Sequence, residues 1–249
     1  NCDTPGRAYG VAVAGDYAYV ADGDAGLQVV DVSHPDAPSI VVSVLTGRSL
    51  DVSVAGAYAY VAAEGRGLEV VDISAPTSPR RVGAVLTPGV AYSVAVDGDY
   101  AYVAAGDAGL QVVDVSDPAR PKIVGSSGVS RAARGVAVAA DHAYVAAGDA
   151  GLQVVDVSNA TAPVIIGSWD TPGLAYGVAV AGNYAYLADR DAGLQILPAQ
   201  CGTPNPVELP AFEAIAVSRA IALTWNTSFE LNHLGFHVHR SVRVGCDYE

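Results

Sequence analysis

Short runs of β-branched and aromatic residues alternate with polar turns along most of the chain. In the first 45 residues this pattern predicts four strands, Gly10 to Ala14, Tyr17 to Ala21, Leu27 to Val32 and Ser39 to Leu45. The turns between them contain Gly, Asp and Pro, which suit tight hairpins and stop helices. No segment carries apolar residues at the spacing of an amphipathic helix, so the pattern indicates an all-β protein.

The four-strand pattern occurs five times. The segment that begins at Gly10 recurs, slightly changed, with starts that follow at intervals of about 42 residues: Asp51, Ser93, Gly135 and Gly177. We name these repeats 1 to 5. A four-stranded repeat of this length is typical of one blade of a β-propeller, and the small residues of the first strand suit an innermost strand near a central axis. A helical solenoid is the alternative, but proline recurs in every repeat and helical spacing is absent.

The third strand of each repeat carries a nearly constant motif. It reads Leu27-Gln-Val-Val-Asp31 in repeat 1 and is almost unchanged in repeats 2, 3 and 4. This motif resembles the LVIVD repeat of bacterial and archaeal surface proteins, and the resemblance covers residues 8 to about 198. It implies a propeller of extracellular or cell-surface type, and it implies little about chemistry.

Repeat 5 departs from the motif. It reads Leu194-Gln-Ile-Leu-Pro198, so a proline replaces the aspartate, and no fourth strand follows. Two interpretations remain open: a ring closed around five blades, one of them three-stranded, or a natural protein with more chain before Asn1. We favour the second interpretation, because both ends of an open ring would expose unpaired strand edges.

A change of composition divides the chain. We predict a propeller over residues 1–200, a proline-rich linker over 201–206 and a different segment over 207–249. The spacing of Trp225 and Phe236 in the last segment resembles the start of a fibronectin type III-like sandwich. The segment supplies about half of such a domain, which needs roughly 100 residues.

Composition narrows the possible partners. There are 26 acidic residues against 13 basic ones, for a net charge of −13, which argues against nucleic acid as a partner. No apolar run is long enough to span a membrane. Cys2, Cys201 and Cys246 form no disulfide framework, and the repeat alignment places Cys2 and Cys201 at opposite ends of a hairpin, too far apart for a bridge.

The sequence offers little support for catalysis, metals or cofactors. One aspartate ends the third strand of four repeats, and a turn role in fixing the hairpin is the best interpretation of this set: Asp31, Asp72, Asp114 and Asp156. The turn from Asp22 to Gly26 has an Asp-x-Asp-x-Gly form, but the remaining ligands of a calcium loop are missing. The five histidines do not cluster, and no nucleophile motif occurs. We therefore expect a non-enzymatic protein without metal or cofactor.

The informative variation lies just before each innermost strand, where the other positions are nearly uniform. In a propeller these linkers surround one mouth of the central channel, and Tyr and Arg are common anchors of binding sites. We predict a binding site at the mouth residues: Arg7, Tyr9, Arg48, Tyr92, Arg134 and Tyr176. The alternative is that the tyrosines only pack against neighbouring blades.

These features lead to one functional hypothesis and two alternatives. We expect a non-catalytic extracellular or cell-surface protein that binds a protein or glycan ligand at the mouth. A structural spacer in a larger adhesin is the first alternative, and burial of the mouth tyrosines would favour it. A propeller enzyme is the second, and it would need a buried polar cluster at the mouth. The ligand's identity, the blade number and the oligomeric state are not determined by the sequence.

Overall fold

The computed structural model describes residues 1–129, 132–199, 211–217 and 220–226, the last two segments as backbone only. Nearly all regular structure in these residues is β-strand, and the exception is a one-turn 3₁₀ helix, Arg190–Ala192. The all-β class predicted from the pattern of turns and apolar runs is confirmed.

Repeats 1 to 4 each form a four-stranded antiparallel sheet in which the strands lie in chain order. Repeat 1 contains β1 (Gly10–Ala14), β2 (Tyr17–Ala21), β3 (Leu27–Asp31) and β4 (Ser39–Val44). Repeat 2 contains β5 (Asp51–Ala55), β6 (Tyr58–Ala62), β7 (Leu68–Asp72) and β8 (Arg80–Val85). Repeat 3 contains β9 (Ser93–Asp97), β10 (Tyr100–Ala104), β11 (Leu110–Asp114) and β12 (Lys122–Ser127). Repeat 4 contains β13 (Gly135–Ala139), β14 (His142–Ala146), β15 (Leu152–Asp156) and β16 (Val164–Trp169).

The register of the first hairpin is the same in every repeat. In repeat 1, Gly10 lies opposite Ala21 and Ala14 lies opposite Tyr17, so the two-residue turn predicted at Gly15 and Asp16 closes β1 onto β2. Gly15 has a φ of 57°, which a glycine adopts without strain. The outer pair, β3 with β4, carries a bulge between Val29 and Val30 that recurs in repeats 2, 3 and 4.

Repeat 5 forms a three-stranded sheet: β17 (Gly177–Ala181), β18 (Tyr184–Ala188) and β19 (Leu194–Pro198). The 3₁₀ turn Arg190–Ala192 replaces the ordinary turn between its second and third strands. Pro198 ends β19 opposite Tyr184, at the position where the other repeats have the aspartate.

The sheets are stacked around an axis by their innermost strands. β1 contacts β5, β5 contacts β9, β9 contacts β13, and β13 contacts β17. Between successive sheets lie apolar clusters that draw on both neighbours. In the first cluster, Leu27 and Val29 of repeat 1 pack against Val52, Val61 and Val71 of repeat 2. Each repeat therefore depends on its neighbour for burial, as expected of a propeller-type repeat.

The described sheets form an open array. At one end, Val11 and Val13 of repeat 1 are 62% and 65% exposed, and at the other end Leu194 and Ile196 of repeat 5 are 63% and 57% exposed. The five-repeat propeller fold is confirmed, and these sheets do not close into a ring.

A second compact unit spans Gln200–Glu249. Its described backbone is one antiparallel hairpin, β20 (Ala211–Val217) with β21 (Ala220–Asn226). Two residues used in the sequence analysis lie outside the described residues: Cys201, whose bridge to Cys2 was argued against, and Phe236, which contributed to the resemblance to a sandwich. Within the residues described, no helix has the length and apolar character needed to cross a membrane.

Candidate ligand-binding site

One backbone hydrogen bond sets the mouth position in every repeat. The residue before the innermost strand donates its N–H to the carbonyl at the end of the second strand, as Tyr9 does to Ala21 over 2.9 Å. The equivalent residues of the later repeats make the same bond: Leu50, Tyr92, Arg134 and Tyr176. Since the backbone is held alike in all five repeats, the side chains at this position lie around one end of the axis.

A second contact joins each linker to the preceding repeat. The turn between the second and third strands of one repeat forms an isolated bridge with the linker of the next, as Gly23 does with Ser49 and Gly106 with Ala133. The mouth side chains are therefore placed by two neighbouring repeats together.

The mouth encloses a cavity of about 580 Å³ to which all five repeats contribute. Five of the six predicted mouth residues line it: Tyr9, Arg48, Tyr92, Arg134 and Tyr176. Arg7 does not line the cavity, and it lies beside the hydroxyl of Tyr9. The structure adds four polar or apolar side chains that the sequence did not single out: Leu50, Asp51, Glu64 and Ser93.

Tyrosine rings and guanidinium groups stack against one another around the cavity. The Arg134 guanidinium lies 5.2 Å from the ring centroid of Tyr92 and 4.7 Å from that of Tyr176. Arg48 lies 5.9 Å from the Tyr9 ring, and Arg190 lies 4.9 Å from Tyr176. Such cation–π contacts fix the orientations of the rings and cover only part of each ring surface.

The rings keep part of their surface open to solvent. Tyr9 is 45% exposed and Tyr176 is 38% exposed, while Tyr92 is half-buried. The tyrosines contact arginines of adjacent repeats, yet they do not enter the apolar clusters between the sheets. The cavity wall therefore presents aromatic surface that a ligand can reach.

Two carboxylates and one tyrosine hydroxyl surround the guanidinium of Arg48. Its guanidinium donates to Glu64 Oε1 over 2.7 Å and to the Tyr9 hydroxyl over 3.2 Å, and it lies 3.8 Å from Asp24. Hydrogen bonding from Arg7, and then from Arg48, lowers the pKa of Tyr9. The bond to Tyr9 and the charge of Glu64 raise the pKa of Arg48.

Two mouth side chains stand at strained backbone positions. Repeats 1, 3 and 4 have glycine in the turn after the second strand, with φ near 56°, whereas Glu64 and Arg190 occupy the same position at φ 40° and 45°. A non-glycine residue there costs about 1–2 kcal/mol. Residues that keep such strain cluster at functional sites, although Ala140, at φ 49° in a hairpin turn away from the mouth, keeps it as well. A comparison of the five turns would have revealed both substitutions in the sequence.

Asp51 and Ser93 form a polar contact on the cavity floor that joins the innermost strands. Asp51 Oδ2 accepts from Ser93 Oγ over 2.7 Å and from the Val94 N–H over 3.1 Å, and Ser93 Oγ accepts from the Val136 N–H over 3.3 Å. A Cβ on Gly10 would lie 2.6 Å from Asp51 Oδ1. Burial raises the pKa of Asp51, although these hydrogen bonds act to lower it. This pair ties neighbouring repeats together.

The four predicted turn aspartates lie at the opposite ends of the sheets from the mouth, and each bonds to the serine two residues later. The Ser33 N–H and hydroxyl donate to Asp31 Oδ1 over 2.9 and 2.6 Å. The same backbone bond recurs at Asp72, Asp114 and Asp156. These bonds lower the pKa of all four carboxyls.

In repeats 1 and 5, the first aspartate of the Asp-x-Asp-x-Gly turn binds the linker that precedes the same repeat. Asp22, which is fully buried, accepts from the Thr4 hydroxyl over 2.7 Å and from the Gly6 N–H over 2.8 Å. Asp189 makes the same pair of bonds in repeat 5. Across the described part of the chain, no three His, Cys, Asp or Glu side chains are grouped as metal ligands would be.

Successive antiparallel sheets joined along one axis, with a mouth built from equivalent linkers, define a β-propeller repeat protein. The chain belongs to the LVIVD repeat family, whose model matches residues 5–46, 47–87, 88–128, 130–171 and 172–197. No curated protein matches the sequence.

Proposed function

We propose that the chain is a non-catalytic binding protein that holds its ligand in the mouth cavity. The observation that carries this proposal is the composition of the cavity wall. All five repeats contribute to it, and the same backbone position carries tyrosine, leucine or arginine in an otherwise uniform repeat. A cavity of about 580 Å³ lies in the size range of sites for small ligands.

The exposure of the mouth side chains supports binding over a spacer role. A spacer domain needs packed linkers, whereas Tyr9 and Tyr176 leave about two fifths of their surface open. Tyr and Arg lose little conformational freedom when they are stacked in advance, and preorganised side chains of these types supply much of the energy at binding surfaces.

Catalysis receives less support from the same cavity. The Asp51 and Ser93 pair is the polar cluster that an enzyme would use, but both groups accept hydrogen bonds from backbone N–H groups of neighbouring repeats. A carboxylate and hydroxyl occupied in this way act as bridges between strands. We therefore assign them a structural role.

We further propose that the protein acts outside the cell or at its surface. The supports are the net charge of −13, the single lysine Lys122 and the resemblance of the C-terminal segment to part of a fibronectin type III-like module. In this proposal the propeller presents the mouth and the C-terminal segment belongs to a neighbouring module.

Binding of the full chain to a glycan and peptide array tests the proposal. We expect a ligand that the wild type retains and that both Arg134→Ala and Tyr92→Ala lose, because the two side chains form one wall of the cavity. Arg120→Ala is the matched control, since this guanidinium is 87% exposed and pairs only with Asp117 in the described structure.

Retention of the ligand by both mouth variants would contradict a site in this cavity. Circular dichroism of each variant, recorded beside the array, separates loss of binding from loss of folding.

A further inference from the structure

Two arginines at or beside the mouth cavity have no ion-pair partner among the described residues: Arg134 lines the cavity, whereas Arg190 does not line it. Arg134 and Arg190 both lie over the ring of Tyr176, at 4.7 and 4.9 Å from its centroid. The ion pairs found in the described chain belong to other arginines: Arg48, Arg66, Arg81 and Arg120. Two guanidiniums therefore contact one aromatic ring without an ion pair in the described chain.

The other cavity arginine differs in this respect. Arg48 is neutralised by Glu64, which stands at a strained backbone position where three repeats have glycine. Arg48 is thus ion-paired within the cavity, whereas Arg134 has no ion pair among the described residues, although the backbone of the cavity is nearly regular.

We propose that Arg134, Tyr176 and Arg190 bind the carboxylate of an acidic sugar. This inference rests on the proposed function and specifies its ligand. A guanidinium presents paired N–H donors that match the two oxygens of a carboxylate, and a charge-assisted pair of this kind is about twice as strong as a neutral hydrogen bond. No covalent step is involved.

The remainder of the cavity favours a sugar ring as the bearer of the carboxylate. Its wall contains the exposed face of Tyr9, the half-buried Tyr92 and the carboxylate of Glu64, which are groups that contact ring carbons or accept from hydroxyls. The net charge of −13 opposes a dense polyanion, so we expect recognition of a single acidic unit.

Arg190 adds an independent observation. It adopts φ 45° in a turn where repeats 1, 3 and 4 use glycine, and its side chain is exposed over Tyr176. The contact described for its side chain is with the ring of Tyr176, which lines the cavity, and strained residues cluster at functional sites, so we take the retained strain as support for ligand contact. Arg190→Gly restores the residue of the other repeats and relieves the strain at the same time.

Titration of the full chain with D-glucuronate and D-glucose, followed by NMR at the Gly135 and Gly177 amides, tests the inference. These two sugars differ at the carboxylate. We expect shifts with glucuronate, weaker or absent shifts with glucose, and binding reduced about tenfold or more in Arg134→Gln, as loss of a charged hydrogen bond predicts.

Arg190→Gly should weaken glucuronate binding while the free energy of unfolding stays equal or rises. Arg134→Lys keeps the charge without the fork and should bind with intermediate affinity. Arg120→Gln should bind as the wild type does.

Two results would contradict the inference of an acidic sugar and leave the proposed function standing. The first is equal binding of glucose and glucuronate, or unchanged binding in Arg134→Gln. The second is a peptide with a free C-terminal carboxylate that binds at the same amides when glucuronate does not. If neither the array nor the titration yields any ligand at the mouth, the inference and the proposed function fall together.

Discussion

Repeats 3 and 5 share most of their sequence but differ in what covers them. Leu110 of repeat 3 is fully buried, whereas Leu194, at the same position of repeat 5, is 63% exposed. Repeat 3 lies between two neighbours, and no described sheet follows repeat 5. Burial in this protein therefore depends on two neighbouring repeats together, because each sheet supplies one half of an apolar cluster.

Loss of a core leucine provides the sharpest test of this comparison. We expect Leu110→Ala to lower the free energy of unfolding by about 2–5 kcal/mol, since it removes buried methyl groups and leaves a cavity. Leu194→Ala is the matched control and should cost less than about 1 kcal/mol. Urea unfolding measures both, and equal losses would show that repeat 5 is covered in solution.

The turn glycine that precedes the third strand is crowded in an inner repeat and open in repeat 5. A Cβ on Gly67 of repeat 2, at φ 77°, would lie 2.4 Å from the Val85 carbonyl oxygen, while Gly193 of repeat 5, at φ 73°, has nothing within 4 Å. We expect Gly67→Ala to cost about 2–4 kcal/mol, from strain and overlap together. Gly193→Ala should cost about 1–2 kcal/mol from strain alone. A larger loss at Gly193 in thermal unfolding would contradict this assignment.

Repeat 2 replaces a buried glutamine with Glu69, which is 1% exposed and is paired with Arg81 over 3.0 Å and with Arg66 over 3.4 Å. We expect Arg81→Ala to cost about 1–3 kcal/mol, because a buried carboxylate loses its closer partner. Its control, Arg120→Ala, breaks an exposed pair and should cost about 0–1 kcal/mol.

Glu69→Gln should restore the arrangement of repeat 3, in which the Gln111 side chain donates to the Ala108 carbonyl over 2.7 Å. We expect this variant to be as stable as the wild type or more stable, since burial of an ion pair is costly. A loss comparable to that of Arg81→Ala would show that the ion pair itself is required.

The smallest expected effect is on the pH dependence of stability. It arises in the four repeats that have a turn aspartate and is absent from repeat 5, which has Pro198 at that position. Hydrogen bonds from Ser116 lower the pKa of Asp114 below its ordinary 3.8. Its contribution to stability is therefore present above pH 3.8 and is lost as the pH falls through the lowered pKa.

Asp114→Asn should accordingly be less stable than the wild type at neutral pH, and the difference should shrink as the solution is acidified. Ser116→Ala removes only the hydroxyl donor and should show part of this effect. A difference that is constant with pH in unfolding experiments would assign the role of Asp114 to its shape alone.

Much of the fold follows from the sequence. The strands of repeat 1 were predicted within one residue at each end, because Gly-Asp and Asp-Ala-Gly turns bound each run of β-branched and aromatic residues. Pro198 led to the prediction that repeat 5 has no fourth strand, and three strands are described there. Local turn chemistry repeated five times carries this information, and it needs no knowledge of distant contacts.

The site could be predicted only in part. The variable mouth positions identified Tyr9, Arg134 and Tyr176, but Glu64 and Arg190 were overlooked because they lie in turns that resemble ordinary hairpins. Their importance depends on which residue of another turn or linker faces them. Sequence spacing within one repeat contains no such information.

Strand periodicity and turn residues act over short stretches of chain, so the repeat, its strands and the series of equivalent linkers follow from the sequence. Which faces are buried and which arginines are ion-paired depends on how the repeats pack against one another. Stacking neighbouring repeats covers Leu110 and leaves Leu194 exposed, and it pairs Arg48 with Glu64 while Arg134 stacks on two tyrosine rings without an ion pair in the described chain. Burial and electrostatic pairing arise between repeats, so they are fixed when the repeats pack.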